Sequence, residues 1–360
     1  MFNLLKNRLM QGVLVALLAL SPALTFAQSE AGGIFLLIAP GARAGGMGEA
    51  NVAVANDAYA TYYNPAGLAF QRDQELAFMH VNWLPGLAND LYYEFFAYRR
   101  FIENLGTVGA HVVYFNLGEQ AQTGEDSPTI LDRFYSYMWN ISLSYGTYLN
   151  DHSAFGMNVK VFRQFLAPMG AGAEGQGKGA STDFAFDIAY LNKHLFTDRL
   201  RFGATLTNMG PKITFIDADQ GDPPPTTLRV GIDYTVVDGE YNTLNFVYDM
   251  SKLLVQKDGT KAVPFYKAIF TSWFDQSPSK EIEQIVHNFG FEYWYNKMFA
   301  LRVGGIYDKV GKLMMDNGLP IPTFGAGIRY ANYGFDFGYT SGSQDHPLNN
   351  TMRFSLNMKF

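Results

Sequence analysis

The residue types that could do chemistry occur in near-miss patterns. Gly172-Ala173-Glu174-Gly175-Gln176-Gly177-Lys178 approaches the glycine-rich loop that cradles nucleotide phosphates. That loop needs a Ser or Thr hydroxyl after the lysine to hold magnesium, and Gly179 stands there instead. Asp217, Asp219 and Asp222 mimic the start of a calcium loop. The sixth position, however, is Asp222 in place of Gly, and the twelfth is Leu228 in place of Glu. Adventitious surface calcium is the most that this cluster supports. The histidines, His80, His111, His152, His194, His287 and His346, show no metal-ligand spacing. With cysteine absent there is no thiolate nucleophile, zinc–thiolate site or disulfide framework. A Ser–His or Asp–His pair assembled from separate strands would leave no signature in one sequence, but no nucleophile motif supports one. The expectation is a non-enzymatic protein without cofactor or resident metal.

Other residues suit binding and anchoring. Arg43 and Asp57 could form an ion pair, or remain two hydrated charges. Asn64, before Pro65 and Ala66, could cap the turn that the proline starts, or contact a ligand. Asp183 and Asp187 share one side of an alternating segment. Arg201, Arg229, Arg302, Arg329 and Arg353 share the corresponding side of others, as a hydrated lumen or a selectivity path would require. Farther on, Phe265, Tyr266, Ile269, Phe270, Trp273 and Phe274 precede Glu281, Ile282 and Ile285 at spacings of three and four. That rhythm predicts an amphipathic helical stretch. An exposed apolar patch is costly unless it covers something or meets something. It is either a contact for a partner or hydrophobic ligand, or a lid packed on its own loops.

The elements that must position these residues follow from the composition. Residues 1–27 read as a signal peptide: Lys6 and Arg8 are followed by the apolar run 13–20, then by Thr25-Phe26-Ala27 at the cleavage positions. Removing Lys6 and Arg8 takes the basic count from 27 to 25 against 33 acidic residues, a net charge near −8. Nucleic acid demands the opposite sign. Aromatics make up 16% of the chain, with 30 Phe and 22 Tyr, while charged residues are only 17%. Mean hydropathy is nevertheless −0.06. No later segment has the roughly 18 unbroken apolar residues that a membrane helix needs. Apolar and polar residues must therefore alternate finely, and in lipid a period of two implies a closed barrel.

The alternation is explicit. Phe184, Phe186, Ile188 and Tyr190 oppose Asp183, Ala185, Asp187 and Ala189, and Phe335, Phe337 and Tyr339 oppose Gly334, Asp336 and Gly338. Candidate strands cover 75–83, 91–99, 107–117, 133–148, 153–165, 181–190, 199–209, 226–236, 241–250, 284–295, 299–307, 322–330, 333–340 and 350–360. Connections between them alternate short and long. The long ones, 118–132, 166–180, 210–225, 251–283, 308–321 and 341–349, would all lie at the outer end, with only 84–90 brief there. This is the loop polarity of a transmembrane antiparallel up-and-down β-barrel of about 14 strands, spanning 74–360. Trp83, Tyr92, Tyr148, Trp294, Tyr295, Tyr307 and Tyr330 gather near strand ends, where interfacial girdles would lie. Phe360 ends the last strand, which resembles the signal that barrel-assembly machinery recognises.

Residues 28–73 do not alternate and are rich in small residues. A barrel this wide has more lumen than its own side chains fill, so the segment is expected inside it as a hatch. The run from Leu36 to Phe70, with Asn64-Pro65-Ala66, resembles the N-terminal signature of the PorV/PorQ branch of the FadL-like outer-membrane proteins. The resemblance implies a 14-stranded barrel with an N-terminal hatch in the outer membrane of a Gram-negative bacterium, surrounded by outer-membrane lipid. It also implies one of two roles. The first is a type IX secretion accessory that binds secreted cargo or other outer-membrane secretion components. The second is a channel for uptake of hydrophobic small molecules.

Overall fold

The computed structural model describes residues 31–85, 90–123, 130–171, 177–215, 221–259, 261–343 and 348–360. The expected signal peptide, Asp217, Asp219, His346 and the glycine-rich run 172–176 lie outside the described residues. Strands β1 (Gln74–Asn82), β2 (Tyr92–Ile102), β3 (Gly106–Thr123), β4 (Ile130–Tyr148), β5 (Ser153–Ala171), β6 (Gly177–Asn192), β7 (Leu200–Met209), β8 (Thr227–Asp238) and β9 (Asn242–Leu253) form the first part of the wall. A short hairpin, β10 (Lys257–Asp258) and β11 (Lys261–Ala262), and two helices follow before β12 (Val286–Tyr295), β13 (Phe299–Tyr307), β14 (Ile321–Tyr330), β15 (Tyr333–Thr340) and β16 (Thr351–Lys359). Apart from β10 and β11, each strand pairs antiparallel with its sequence neighbours. β9 pairs with β12, and β1 closes on β16 from Glu75↔Lys359 to Val81↔Arg353.

All 14 wall strands coincide with those expected from the alternation. The physical cause is plain in the exposures. Phe78, Phe96, Leu143, Val159, Leu301, Phe335 and Phe354 lie bare on the outer face, while the residues between them are buried. Lipid solvates the first set and the lumen encloses the second.

Three expectations need correction. The connections 118–132 and 166–180 are largely strand. β4 and β5 part above Tyr137↔Phe165, while β3 stays paired with β4, and β5 with β6, beyond that level. A strand pair with water on both faces keeps its backbone ladder but loses the apolar rhythm, so alternation cannot reveal it. Next, Trp83 and Trp294 belong to the lumen and not to an outer girdle. Trp83 shares strand parity with buried Val81 and packs on Tyr93 and Phe115, and Trp294 shares parity with buried Glu292. Tyr148, Tyr295 and Tyr330 are exposed. Finally, 210–225 is not purely an outer loop. Its described part turns inward, where Gly32 N–H donates to the Pro223 carbonyl (2.9 Å) and Ile213 is buried against the hatch.

The hatch fills the lumen through short turns: a 3-10 turn at Ile34–Leu37, α1 (Ala42–Gly45), α2 (Ala60–Tyr63) and a second 3-10 turn at Pro65–Phe70. Its apolar residues Phe35, Leu36, Tyr59 and Tyr63 pack with Met79, Tyr93, Phe95 and Phe162 of the wall. Tyr59 stacks on Phe95 with ring centroids 5.1 Å apart. Elsewhere backbone meets backbone. Gly48 adopts φ +64°, and a Cβ there would stand 2.3 Å from the Gly305 carbonyl oxygen. A Cβ on Gly156 of β5 would stand 2.1 Å from the amide nitrogen of Ala66. Only glycine permits both contacts.

Candidate functional site: the hatch lock and the outer mouth

Strand parity and a one-turn helix bring the charged residues of the hatch to the wall. Arg43, on α1, points to β12. Its Nε and Nη2 donate to Glu292 at 2.8 and 2.7 Å, and its Nη1 donates to Asn56 at 2.6 Å and Asp57 at 3.1 Å. Arg43 and Asp57 are thus in contact, but the bidentate partner of Arg43 is Glu292, which sequence reading missed. Glu292 also accepts from Arg302 Nε (2.8 Å), whose Nη1 reaches Asp336 (2.9 Å), and Asp336 accepts in turn from Arg329 (2.7 Å). Arg302 and Arg329 both lie over the Trp294 ring, at 5.4 and 5.3 Å. Bidentate geometry and an opposite charge beside each ion offset the cost of burying this network, although Arg302 Nη2 has no hydrogen-bond partner among the described residues.

Three more contacts fix the hatch around the circumference. Arg353 of β16 donates to Glu49 (2.6 Å), and Asp249 of β9 accepts from the backbone of Asn51 (2.8 Å) and Val52 (3.0 Å). Asn64 accepts from Ala66 N–H (3.1 Å) as the cap of the Pro65 turn and donates to the Val52 and Tyr190 carbonyls (2.9 and 3.0 Å). Asp187 of β6 pairs with Lys160 of β5 (2.8 Å), and Arg201 of β7 with Asp233 of β8 (2.9 Å). Asp183 is only half-buried, and Arg229 lines a small cavity beside Lys160 and Asn208. Glu292 and Asp249 carried a legible signal after all: acidic residues at inward parity between lipid-facing apolar ones.

Two larger cavities flank the hatch. The inner one, about 530 Å³, is polar and includes Arg43, Asp57, Arg201, Glu292 and Arg329. The outer one, about 920 Å³, is mainly apolar, with Glu49, Lys309, Lys312 and Asp316 also in its lining. Ile34, Leu37 and Ile38 of the hatch form its floor, and Trp83, Leu84, Ile306, Leu313, Met314, Met315 and Leu348 form its walls. The two share no lining residue, and the hatch lies between them. The run Leu313-Met314-Met315, apolar inside a long loop, could have signalled this mouth from sequence.

The aromatic outer loop is helical, as its spacing predicts, in two pieces: α3 (Phe265–Thr271) and α4 (Pro278–Glu283). Phe265 meets Phe186 edge-on, and Trp273 donates to the Ile269 carbonyl (3.0 Å), whereas Tyr266, Phe270 and Phe274 are exposed. Lys252, buried at the top of β9, donates to Glu281 (2.6 Å) and lies 5.4 Å above the Trp273 ring. Partial burial and the neighbouring Glu281 carboxylate push Asp275 up to about 6. Burial opposes ionisation of Glu281 too, but hydrogen bonds from Lys252 and Asp275 hold it below its ordinary value. Among the described residues no group of three or more His, Asp or Glu is placed to hold a metal.

The fold has solved relatives. The chain is similar to the Ralstonia pickettii toluene transporter TbuX at TM-score 0.51 and 13% identity, covering 90% of this chain and 98% of that one. It is similar also to the Pseudomonas putida toluene transporter TodX at TM-score 0.52 and 14% identity, covering 89% and 96%. At such identities the likeness is one of fold. No curated protein matches the sequence. A family model described as type IX secretion system protein PorV matches residues 28–259. With most of its length covered by that model, the chain belongs to the PorV family and is a 14-stranded barrel of the Gram-negative outer membrane.

Proposed function

We propose that this chain is a type IX secretion accessory that holds exported cargo, or a partner outer-membrane protein, at its outer mouth. One observation carries the reading: the apolar cavity of about 920 Å³ opens outward and is floored by the hatch. The hatch is bonded to β9, β12 and β16 and seated on wall glycines. A blind apolar cup suits the docking of an apolar segment better than passage. Family membership supports the same role.

The test is capture from detergent-solubilised outer membranes. Met314→Asp with Met315→Asp places two charges in the cup wall and is expected to abolish co-purification of secreted proteins or partner barrels, while the protein stays heat-modifiable on gels. Undiminished capture would overturn the proposal. The second reading, a carrier of hydrophobic small molecules, draws on the same apolar lining and on the toluene transporters that share the fold. It requires toluene uptake by vesicles containing only this protein, lost in the same variant. Uptake with capture unaffected would replace the first reading by the second.

A further inference from the structure

We propose that the Tyr266–Phe270–Phe274 stripe of the outer loop inserts among the acyl chains of the outer leaflet and anchors the loop in lipid. The position of α3 is the first argument. The loop leaves the top of β9, yet Phe265 packs edge-on against Phe186 of β6, with centroids 5.8 Å apart. In the barrel order β6-β7-β8-β9 it must cross β8 and β7 to do so. Phe186 alternates with buried Ala185 and Asp187, so its ring is on the lipid side. It pairs with Met209, the last residue of β7, above which β6 has no ladder on that edge. Thus α3 stands where a longer β7 and β8 would continue the wall, and its outer face extends the lipid-facing belt.

Amphipathicity is the second argument, because it is inverted for water. The small residues Ala268 of α3 and Ser272, which caps it, are 1% and 2% exposed and face inward. The outer face of α3 carries Tyr266 and Phe270, 61% and 72% exposed, and Phe274, in the turn just beyond the helix, is 86% exposed. Leu143 and Leu301 of the lipid-facing wall, at 64% each, are bare to the same degree. Large aromatics turned outward at intervals of four are unfavourable in water and favourable in acyl chains. Lys252, through Glu281 and Trp273, holds this face outward.

The test uses the full protein alone in phosphatidylcholine vesicles brominated in mid-chain. Phe270→Trp adds an indole to the stripe. Its extra emission is expected to be blue-shifted, largely lost in brominated lipid and insensitive to aqueous iodide. Emission quenched by iodide and untouched by bromine would overturn the proposal and leave the stripe as a protein-docking face. As a second readout, Tyr266→Ser, Phe270→Ser and Phe274→Ser together should speed amide exchange across 265–283 in vesicles without altering heat-modifiability. Unchanged exchange would equally overturn it. Neither readout depends on a secretion role.

Discussion

Replacing Glu292 with Ala tests whether the hatch is locked by charge. Glu292 accepts three hydrogen bonds from two guanidiniums, at 2.7 to 2.8 Å, and its side chain is buried. Removing one partner of a buried pair costs about 3–5 kcal/mol, because the remaining charge is stranded. Here both cations keep a second partner, Asp57 for Arg43 and Asp336 for Arg302. The loss should therefore fall at the lower end, about 3 kcal/mol. Asp57→Ala removes only the longer contact of Arg43 and a bond from Tyr59 N–H, so about 1.5 kcal/mol is expected. The measurement is urea unfolding in lipid vesicles, read by proteolysis of the hatch and by the gel shift of the barrel. Arg43→Met combined with Glu292→Met should be less damaging than Glu292→Ala alone, since no cation is then stranded at the hatch. A Glu292→Ala change below about 0.5 kcal/mol, or strict additivity in the double variant, would refute the lock.

Steric and pH tests complete the set. Gly156→Val drives a side chain into the Pro65–Ala66 backbone, where a Cβ has only 2.1 Å. The hatch should become protease-sensitive while the barrel persists, whereas Met157→Val, on the exposed outer side of the same strand, should change nothing; a protected hatch in Gly156→Val contradicts the packing. Asn64→Ala deprives Ala66 N–H of its acceptor and the Val52 and Tyr190 carbonyls of a donor, and about 1–3 kcal/mol should be lost in the same urea assay. Asp275, with an ordinary value of 3.8 raised to about 6, binds its proton more tightly in the folded loop. Its contribution is complete below pH 3.8 and lost as pH rises through about 6, so amide protection of 265–283 should fall between pH 4.5 and 7. Glu281, held low beside Lys252, acts only below 4.5, outside that window. Asp275→Asn should flatten the profile, and protection that instead rises with pH would reverse the sign.

The barrel was legible in sequence because lipid on one side and lumen on the other impose one rule at every second residue. Thr182–Tyr190 and Tyr333–Tyr339 obey it without any knowledge of their neighbours, and the outward Phe and Leu residues follow directly. Where both faces meet water, as at 119–121 and 131–133 of the upper β3–β4 hairpin, the rule lapses and alternation marks no strand. Parity would also have placed Trp83 and Trp294 in the lumen, had it been given precedence over their nearness to strand ends.

Sequence by itself determined the strand count, the sidedness of each strand and the compact hatch, since these depend on local periodicity and small-residue content. Tertiary structure alone decided that Arg43 would take Glu292 as its bidentate partner across 249 residues of chain. It decided too that Ile34, Leu37, Met314 and Met315 would share one cup. Such pairings depend on which strands stand opposite which part of the hatch once the cylinder closes. That choice is made by backbone registers and glycine clearances around the whole ring, and no single stretch of sequence contains it.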